Sequence, residues 1–346
     1  MDFLLAYGPL ILGHSPERVV ERIKEVAEQG SIFGAPTELE VKLGETLTRS
    51  ASLDKLRMVN TGTEATMHAI RLAIHHTGRK KVLKIEGGYH GTHPFNFPSE
   101  LVDSVHFNSV DAVSDKLSSK EYACLIIEPA MGNIGVINPN DGYLESVRDI
   151  TERTGTLMIA DEVITGYRTG FFPYYASKKI EPDLATFAKI IGGGLPLAAY
   201  GGREDIMKKV RPSGQFPQAG TFSGNPLSVA AGFETLNILS KGDYTRLKML
   251  TETAVKELSE SGLTVNSNTG MLSLFFSKSR IESAVGAMKS DKGLYFRFFE
   301  KAMSAGIFLA PSFDETIFIS FAHNEKEVKE TFSFLAEEAK KLWKAR

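Results

Sequence analysis

The chain has 346 residues, of which 42% are hydrophobic and 24% charged, and its formal net charge is −2. These values are ordinary for a globular protein and give no reason to expect nucleic acid or an anionic membrane as a partner. No apolar run approaches the roughly 18 residues that span a bilayer, and the N-terminal residues lack the basic flank of a signal peptide. The single cysteine, Cys124, lies in an apolar run, which favours a buried, unpaired thiol and fits a reducing cytoplasm.

The middle of the chain alternates helical stretches with short apolar runs that end at glycine, proline or acidic residues. Continuous apolar strands separated by helices are typical of a sheet that is covered on both faces. We therefore predict an α/β layered domain with largely parallel strands. Its predicted strands include residues 83–85, 124–127, 156–160 and 184–188.

The pattern changes after about residue 235. Charged segments predicted to be helices flank short apolar segments predicted to be strands, which indicates a smaller α+β domain. We expect a large domain over residues 1–235 and a small C-terminal domain over residues 236–346. The predicted helices of the small domain are 244–259, 293–304 and 325–341, and its predicted strands are 272–276 and 317–319.

The first candidate functional segment is the polar turn 60–66. It follows the apolar segment 56–59 and begins a helix that ends at Gly78. A helix N-terminus offers unpaired N–H groups and the positive end of the helix dipole, so it suits a phosphate. Gly62 permits close approach of the backbone, and Thr63 adds a hydroxyl group. The same pattern also describes a threonine-capped helix that binds nothing.

Two more segments follow predicted strands. Tyr89 lies in the glycine-rich turn 87–91, where it either stacks on a cofactor ring or fills a loop. Asp161 ends an apolar strand, at the place where ligands bind in open α/β sheets. A carboxylate there is suited to hold the protonated ring nitrogen of pyridoxal phosphate. A metal ligand, a helix cap and a buried ion pair are the alternatives for Asp161.

Lys189 stands between apolar residues and the glycine run 192–194. Lysines are seldom fully buried without a partner, and burial makes a lysine amine more nucleophilic. The alternative is a lysine that extends to the surface along its aliphatic stem. The loop 218–226 presents Thr221 to a phosphate, in its own subunit or in a neighbour's. No Gly-x-Gly-x-x-Gly, Walker, Cys-x-x-Cys or His-Glu-x-x-His motif is present, and no metal site is predicted.

Taken together, these segments resemble the class III pyridoxal-phosphate aminotransferases, and most closely their glutamate-1-semialdehyde 2,1-aminomutase group. The resemblance extends over nearly the whole chain in order. It implies a fold-type-I transferase that uses pyridoxal 5'-phosphate and pyridoxamine 5'-phosphate and works as a cytoplasmic homodimer, with sites at the subunit interface. Further segments that carry it are 8–14, 33–38, 127–129, 132–133, 200–203 and 321–323.

The resemblance assigns a role to each candidate side chain. Lys189 is expected to carry the cofactor as a Schiff base and to shuttle protons, and Asp161 to pair with the pyridine nitrogen. Tyr89 and Val163 are expected on the two faces of the ring.

The resemblance also implies how the phosphate and the substrate are held. Gly62 and Thr63 are expected to bind the phosphate, with Thr221 reaching across from the partner subunit. The remaining expected contacts are His90 and Asn133 for the cofactor, and Tyr7 and Glu315 for a small amino-aldehyde or amino-acid substrate.

The family reaction moves an amino group within glutamate-1-semialdehyde and yields 5-aminolevulinate for tetrapyrrole synthesis. Two departures from the family pattern are evident. Residues 1–15 are expected to be the remnant of a longer N-terminal segment, whose serine and arginine hold the substrate carboxylate in the family. The stretch between His90 and Asp111 is shorter than the family's mobile lid loop, which excludes water.

These departures leave three functional hypotheses. The first is the aminomutase. The second is an aminotransferase that moves an amino group from a β- or ω-amino acid or an amine to a separate keto acid. The third is a relative that binds the cofactor or a partner subunit without turnover.

Overall fold

The computed structural model describes residues 1–346. The chain forms two compact units, and each is assembled from separate stretches of sequence. The large unit comprises Ser15–Pro129 and Pro139–Gly242, and the small unit comprises Met1–His14, Ala130–Asn138 and Asp243–Arg346. No helix has both the length and the apolar character needed to cross a membrane.

The large unit contains one seven-stranded sheet and eight helices. The strands are β1 (Lys55–Val59), β2 (Lys81–Ile85), β3 (Val102–Val105), β4 (Tyr122–Ile127), β5 (Leu157–Asp161), β6 (Leu184–Phe187) and β7 (Ala198–Gly202). The helices are α1 (Glu17–Ala27), α2 (Glu38–Ala51), α3 (Gly62–Thr77), α4 (Val110–Leu117), α5 (Tyr143–Thr154), α6 (Tyr174–Ser177), α7 (Glu204–Met207) and α8 (Pro226–Leu239).

The sheet has the strand order β1-β7-β6-β5-β4-β2-β3. Only β7 runs antiparallel to its neighbours, so the predicted parallel α/β sheet is confirmed. The four predicted strands correspond to β2, β4, β5 and β6. Every residue of β4, β5 and β6 is buried, as expected for strands that are covered on both faces. Because β1, β2, β4, β5 and β6 run in one direction, their carboxyl ends lie along the same edge of the sheet.

Helix α3 illustrates how local sequence sets the element bounds. The Thr61 hydroxyl accepts from the Glu64 N–H, and the Glu64 carboxylate accepts from the Thr61 N–H, which makes a reciprocal capping box. Gly78 ends the helix in the left-handed region with φ 72°. Buried residues of α3 then pack into the core cluster that also contains Ile126 and Ile159.

The small unit contains an antiparallel sheet of three strands, β8 (Thr264–Asn268), β9 (Met271–Phe275) and β10 (Ile317–Phe318). Its helices are α9 (Tyr244–Ser259), α10 (Ala284–Ala287), α11 (Lys292–Ser304) and α12 (Glu325–Lys344). The N-terminal residues belong to this unit, because Phe3 bonds through its backbone to Phe308 and Phe318 and stacks on His323. The helices and strands predicted for residues 236–346 are confirmed, and their ends shift by a few residues.

Candidate active site

The candidate residues of the large unit lie at the edge where the parallel strands end. Segment 60–63 follows β1, segment 87–90 follows β2, and Glu128 follows β4. Asp161 is the last residue of β5, and Lys189 lies two residues after β6. The common strand direction brings these separate segments to one edge, which is the usual position of ligand sites in open α/β sheets.

Asp161 is buried, with 2% of its surface exposed, and is held by three hydrogen bonds. The Thr186 hydroxyl donates to Oδ1 at 3.0 Å, and the Val163 N–H donates to the same oxygen at 3.1 Å. His90 Nδ1 lies 2.7 Å from Oδ2. An ionised carboxylate accepts all three bonds, so we assign the Nδ1 proton to His90. The carboxyl group is thus fixed in orientation before any ligand binds.

His90 contacts this carboxylate, and His93 lies near His90. The His90 side chain is completely buried, and its Nε2 atom has no hydrogen-bond partner in the protein. Burial, together with the nearby His90, lowers the pKa of His93 to about 4, so His93 is neutral at neutral pH. His93 Nε2 lies 3.1 Å from the Thr66 hydroxyl, which also donates to the His90 carbonyl at 2.5 Å.

The first turn of α3 packs against the residues that flank Asp161 and Lys189. A Cβ atom on Gly62 would lie 3.2 Å from both Val163 methyl groups and 3.5 Å from Ala188. The backbone N–H groups of this turn have no acceptor within the helix itself. The cap satisfies some of them. The Thr63 hydroxyl accepts from the Thr92 N–H at 3.3 Å. The helix start therefore offers anion-binding donors next to the Lys189 segment.

Lys189 is half-buried and has φ 49°, a left-handed conformation that is uncommon outside glycine. Such backbone strain persists only where the surrounding structure imposes it, and it is concentrated at functional sites. The positive φ of the glycine at position 193 has a different cause. Gly193 has φ 57°, and a Cβ there would lie 2.5 Å from the Ala231 carbonyl oxygen of α8. Gly193 therefore allows a close approach to the backbone of a helix.

Tyr89 is 46% exposed, so its ring is available to a ligand at this edge. Its N–H donates to Glu128 Oε1 at 3.1 Å. Glu128 is itself buried at the end of β4. The aromatic side chain is thus presented by a backbone that a buried carboxylate holds in place.

Thr221 lies in an exposed turn of the loop 218–226. Beside it is a groove of about 900 Å³, lined by residues of this loop, residues 32–36, α2 and β1. A Cβ on Gly220 would lie 3.8 Å from Asn60 Nδ2, so the loop passes near the segment that leads into α3.

The remaining candidates belong to the small unit. Tyr7 is exposed and ends a turn in which Leu5, Ala6 and Tyr7 all have positive φ. Asn133 lies in the turn between Met131 and Ile137, which bond to each other through their backbones.

Glu315 is half-buried and directly precedes Thr316. The Thr316 hydroxyl donates to the Gly132 carbonyl, so the segments of Glu315 and Asn133 meet within the small unit. The roles expected for these two residues stay predictions.

Three polar residues of this edge were not predicted from the sequence: Lys84, Asn96 and Thr186. Lys84 Nζ donates to Asn96, whose side chain accepts from the His90 N–H. Lys84 and Thr186 interrupt otherwise apolar strands, and a polar residue inside a buried strand is the signal that identifies them. Asn96 ends a short 3₁₀ helix (Pro94–Asn96), where the sequence carries no such signal.

The comparisons with known proteins identify the family. A family model described as aminotransferase class-III matches residues 1–97 and 93–322. The chain belongs to the class-III aminotransferase family. A curated relative, the glutamate-1-semialdehyde 2,1-aminomutase of Thermoplasma acidophilum, is 43% identical over 96% of this chain and 86% of its own length.

Solved structures of transaminases have the same fold. An omega-transaminase from Sphaerobacter thermophilus superposes with a TM-score of 0.90 at 28% identity, covering 98% of this chain and 86% of that protein. A transaminase with PLP bound superposes with a TM-score of 0.90 at 24% identity, covering 100% of this chain and 87% of that protein. The expected fold-type-I architecture is therefore confirmed.

The residues at the sheet edge of this class-III chain fit a phosphorylated pyridine aldehyde. The α3 N-terminus offers donors for a phosphate, and the buried Asp161 carboxylate is an acceptor for a protonated ring nitrogen. Gly62 lets the start of α3 pack closely against Val163 and Ala188, since a Cβ there would crowd Val163. Lys189 supplies the primary amine that an aldehyde requires.

Gly91→Ala should weaken the binding of pyridoxal phosphate by on the order of tenfold to a hundredfold. Gly91 has φ 98°, and a Cβ there would lie 2.5 Å from Thr63 Oγ1 and 2.7 Å from Thr63 Cα, so the first turn of α3 must shift. Equilibrium dialysis of the apoprotein against the cofactor measures the effect. Gly78→Ala is the matched control, because Gly78 also has positive φ but open space around it. Equal cofactor affinity in the two variants would contradict the phosphate site.

Proposed function

We propose that this protein is a pyridoxal-phosphate-dependent aminomutase that converts glutamate-1-semialdehyde to 5-aminolevulinate, a step of tetrapyrrole biosynthesis. The relative that is 43% identical over nearly the whole chain carries this name. The structural observation that supports the proposal most strongly is the buried Asp161 carboxylate on β5, next to the strand β6 that leads to Lys189. The glycine at the start of α3 allows this helix to pack closely against Val163 and Ala188, which flank Asp161 and Lys189.

Bound pyridoxal phosphate supplies an aldehyde and an electron-withdrawing ring that stabilises negative charge on a substrate carbon. We assign Lys189 Nζ to attach the cofactor and to move protons to and from the substrate. Asp161 would pair with the ring nitrogen and keep it protonated. The donors from Thr186 and Val163 hold the carboxylate in the orientation that this pairing needs.

The other residues of the edge would bind and orient the ring and its phosphate. Tyr89 and Val163 would lie on opposite faces of the ring, and Gly62 and Thr63 would hold the phosphate at the helix start. His90 would act through Asp161, because its Nδ1 atom lies 2.7 Å from that carboxylate. We propose, further, that Asn133 serves the cofactor, and that Tyr7 and Glu315 serve the substrate.

Lys189→Ala should lower turnover by on the order of 10²–10⁴-fold or more, because it removes both the attachment point and the proton-transfer group. Steady-state kinetics and the visible absorbance of the bound cofactor measure the two losses. Lys340→Ala, which removes an exposed lysine of α12, is the control and should behave as the wild type. A Lys189→Ala protein with near-normal rates would refute the assignment.

Glutamate-1-semialdehyde supplied alone should be converted to 5-aminolevulinate, because an intramolecular transfer needs no second amino or keto acid. Quantifying the product with and without added pyruvate or 2-oxoglutarate tests this. No product in the absence of a keto acid would refute the aminomutase.

An intermolecular aminotransferase is the second candidate, and the likeness to the Sphaerobacter thermophilus omega-transaminase supports it. In that case a β- or ω-amino acid or an amine would donate its amino group. Turnover would then depend on the added keto acid.

We propose that the working form is a cytoplasmic homodimer in which Thr221 acts on the partner's cofactor. Two apolar side chains in this region are exposed: Phe33, which lines the groove beside Thr221, at 54%, and Phe222, which follows Thr221 in the loop, at 63%. Exposed apolar surface of this kind is typical of a protein interface. The single cysteine is buried and unpaired, which is compatible with a reducing compartment.

Mixed dimers test the position of Thr221. In a mixed dimer, one chain carries Lys189→Ala and the other carries Thr221→Val. The chain that keeps Lys189 would then receive an intact Thr221 from its partner. We expect such dimers to bind pyridoxal phosphate at that lysine with wild-type affinity, and Thr221→Val homodimers to bind it more weakly. Weak binding in both would place Thr221 in its own subunit's site, and a sedimenting mass of 38.0 kDa would refute the dimer.

A further inference from the structure

Lys84 is a buried amine that the assigned roles do not use. It lies on β2 between apolar residues, with 7% of its surface exposed. A lysine in such a position is costly, because its ammonium group loses hydration that the protein must replace. An apolar residue would fill the same strand position without that cost. The presence of a lysine therefore needs a specific explanation in its contacts.

The Lys84 ammonium group meets three neutral oxygen atoms. Nζ donates to the Gly88 carbonyl at 2.8 Å, to the Asn96 carbonyl at 2.9 Å and to Asn96 Oδ1 at 3.0 Å. An ammonium group has three N–H donors, so these contacts use its full capacity. Bonds from a charged donor are stronger than bonds between neutral groups.

These contacts connect Lys84 to the segment that carries Tyr89 and His90. Asn96 Oδ1 also accepts from the His90 N–H at 3.0 Å, so one oxygen joins Lys84 to His90. Gly88, whose carbonyl Lys84 holds, directly precedes Tyr89. Lys84 thus restrains the backbone on both sides of Tyr89.

Burial lowers the pKa of Lys84, while the nearby Glu128 carboxylate acts in the opposite direction and burial prevails. Glu128 also accepts from the Tyr89 N–H. The same segment is therefore held by a buried amine on β2 and by a buried carboxyl group directly after the neighbouring strand β4.

We propose that Lys84 is a positioning residue, which sets Tyr89 against the cofactor ring and His90 against Asp161. The inference rests on the proposed function, because it takes these two side chains to serve the cofactor. Lys84 touches neither the cofactor nor the substrate in this proposal and acts only through the backbone of 88–90 and through Asn96.

Lys84→Met tests the proposal, because methionine has similar length but no N–H donors. Lys84→Met leaves the Gly88 and Asn96 carbonyls without this donor, so the apoprotein should lose some stability. For the folded protein we expect the dissociation constant for pyridoxal phosphate to rise about tenfold. We also expect kcat to fall more than KM changes, because a displaced ring stack and a displaced Asp161 partner affect the reaction itself. Lys81→Met on the same strand is the control, since Lys81 pairs with Glu121 at the surface.

A merely structural lysine also gives a lower melting temperature, but it leaves the cofactor dissociation constant and kcat of the folded protein unchanged. That result would overturn the proposal. If Lys84→Met does not fold, Asn96→Ala replaces it, because it removes the oxygen shared by Lys84 and His90. Weaker cofactor binding by Asn96→Ala supports the proposal, and unchanged binding overturns it.

A double variant adds a further check. If Lys84 and Asn96 act as one unit, Lys84→Met combined with Asn96→Ala should weaken cofactor binding by less than the product of the two single effects. Independent, multiplicative effects would overturn the shared mechanism. These measurements use cofactor affinity, so they do not depend on the reaction with glutamate-1-semialdehyde. Failure of the wild type to convert that compound would refute only the aminomutase.

Discussion

The part of the proposed site around Asp161 and Lys189 depends on the common direction of five strands in the large unit. Because β1, β2, β4, β5 and β6 run the same way, five segments that are distant in sequence end at one edge. The buried carboxylate of Asp161 lies at the end of β5, and its donors come from the segments that follow β2 and β5 and from β6 itself. A change in the direction of β2, β5 or β6 would separate the carboxylate from its partners.

Burying charged and polar groups at this edge is costly unless each has a partner. Neighbouring side chains supply such partners for the Asp161 carboxylate and the His90 carbonyl, while His90 Nε2 has none: Thr186 and His90 bond to Asp161, and Thr66 bonds to the His90 carbonyl. The result is a set of groups that are fixed before a ligand binds. Such preorganisation is what a catalyst needs, since the orientation of charge then costs nothing during the reaction.

The class-III family and the segments of its site could be predicted from the sequence. The strands that lead to Tyr89, Asp161 and Lys189 are mainly apolar, and burial on both faces of a sheet makes such strands easy to recognise. The start of α3 was predictable because its capping residues, Thr61 and Glu64, lie three residues apart and interact locally. The groups of the small unit showed no comparable local signal, and the roles of Asn133 and Glu315 rest on the resemblance alone.

The sequence by itself determined the elements whose causes are local: periodic apolar residues, helix caps, and glycines that end helices. Only the tertiary structure decided which polar groups meet. Asp161 and His90 are 71 residues apart in sequence, and Lys84 is joined to His90 only through Asn96. Likewise, the Gly193 conformation is explained by α8, which lies more than thirty residues further along the chain. These contacts depend on how the strands and helices pack, and no short stretch of sequence contains that information.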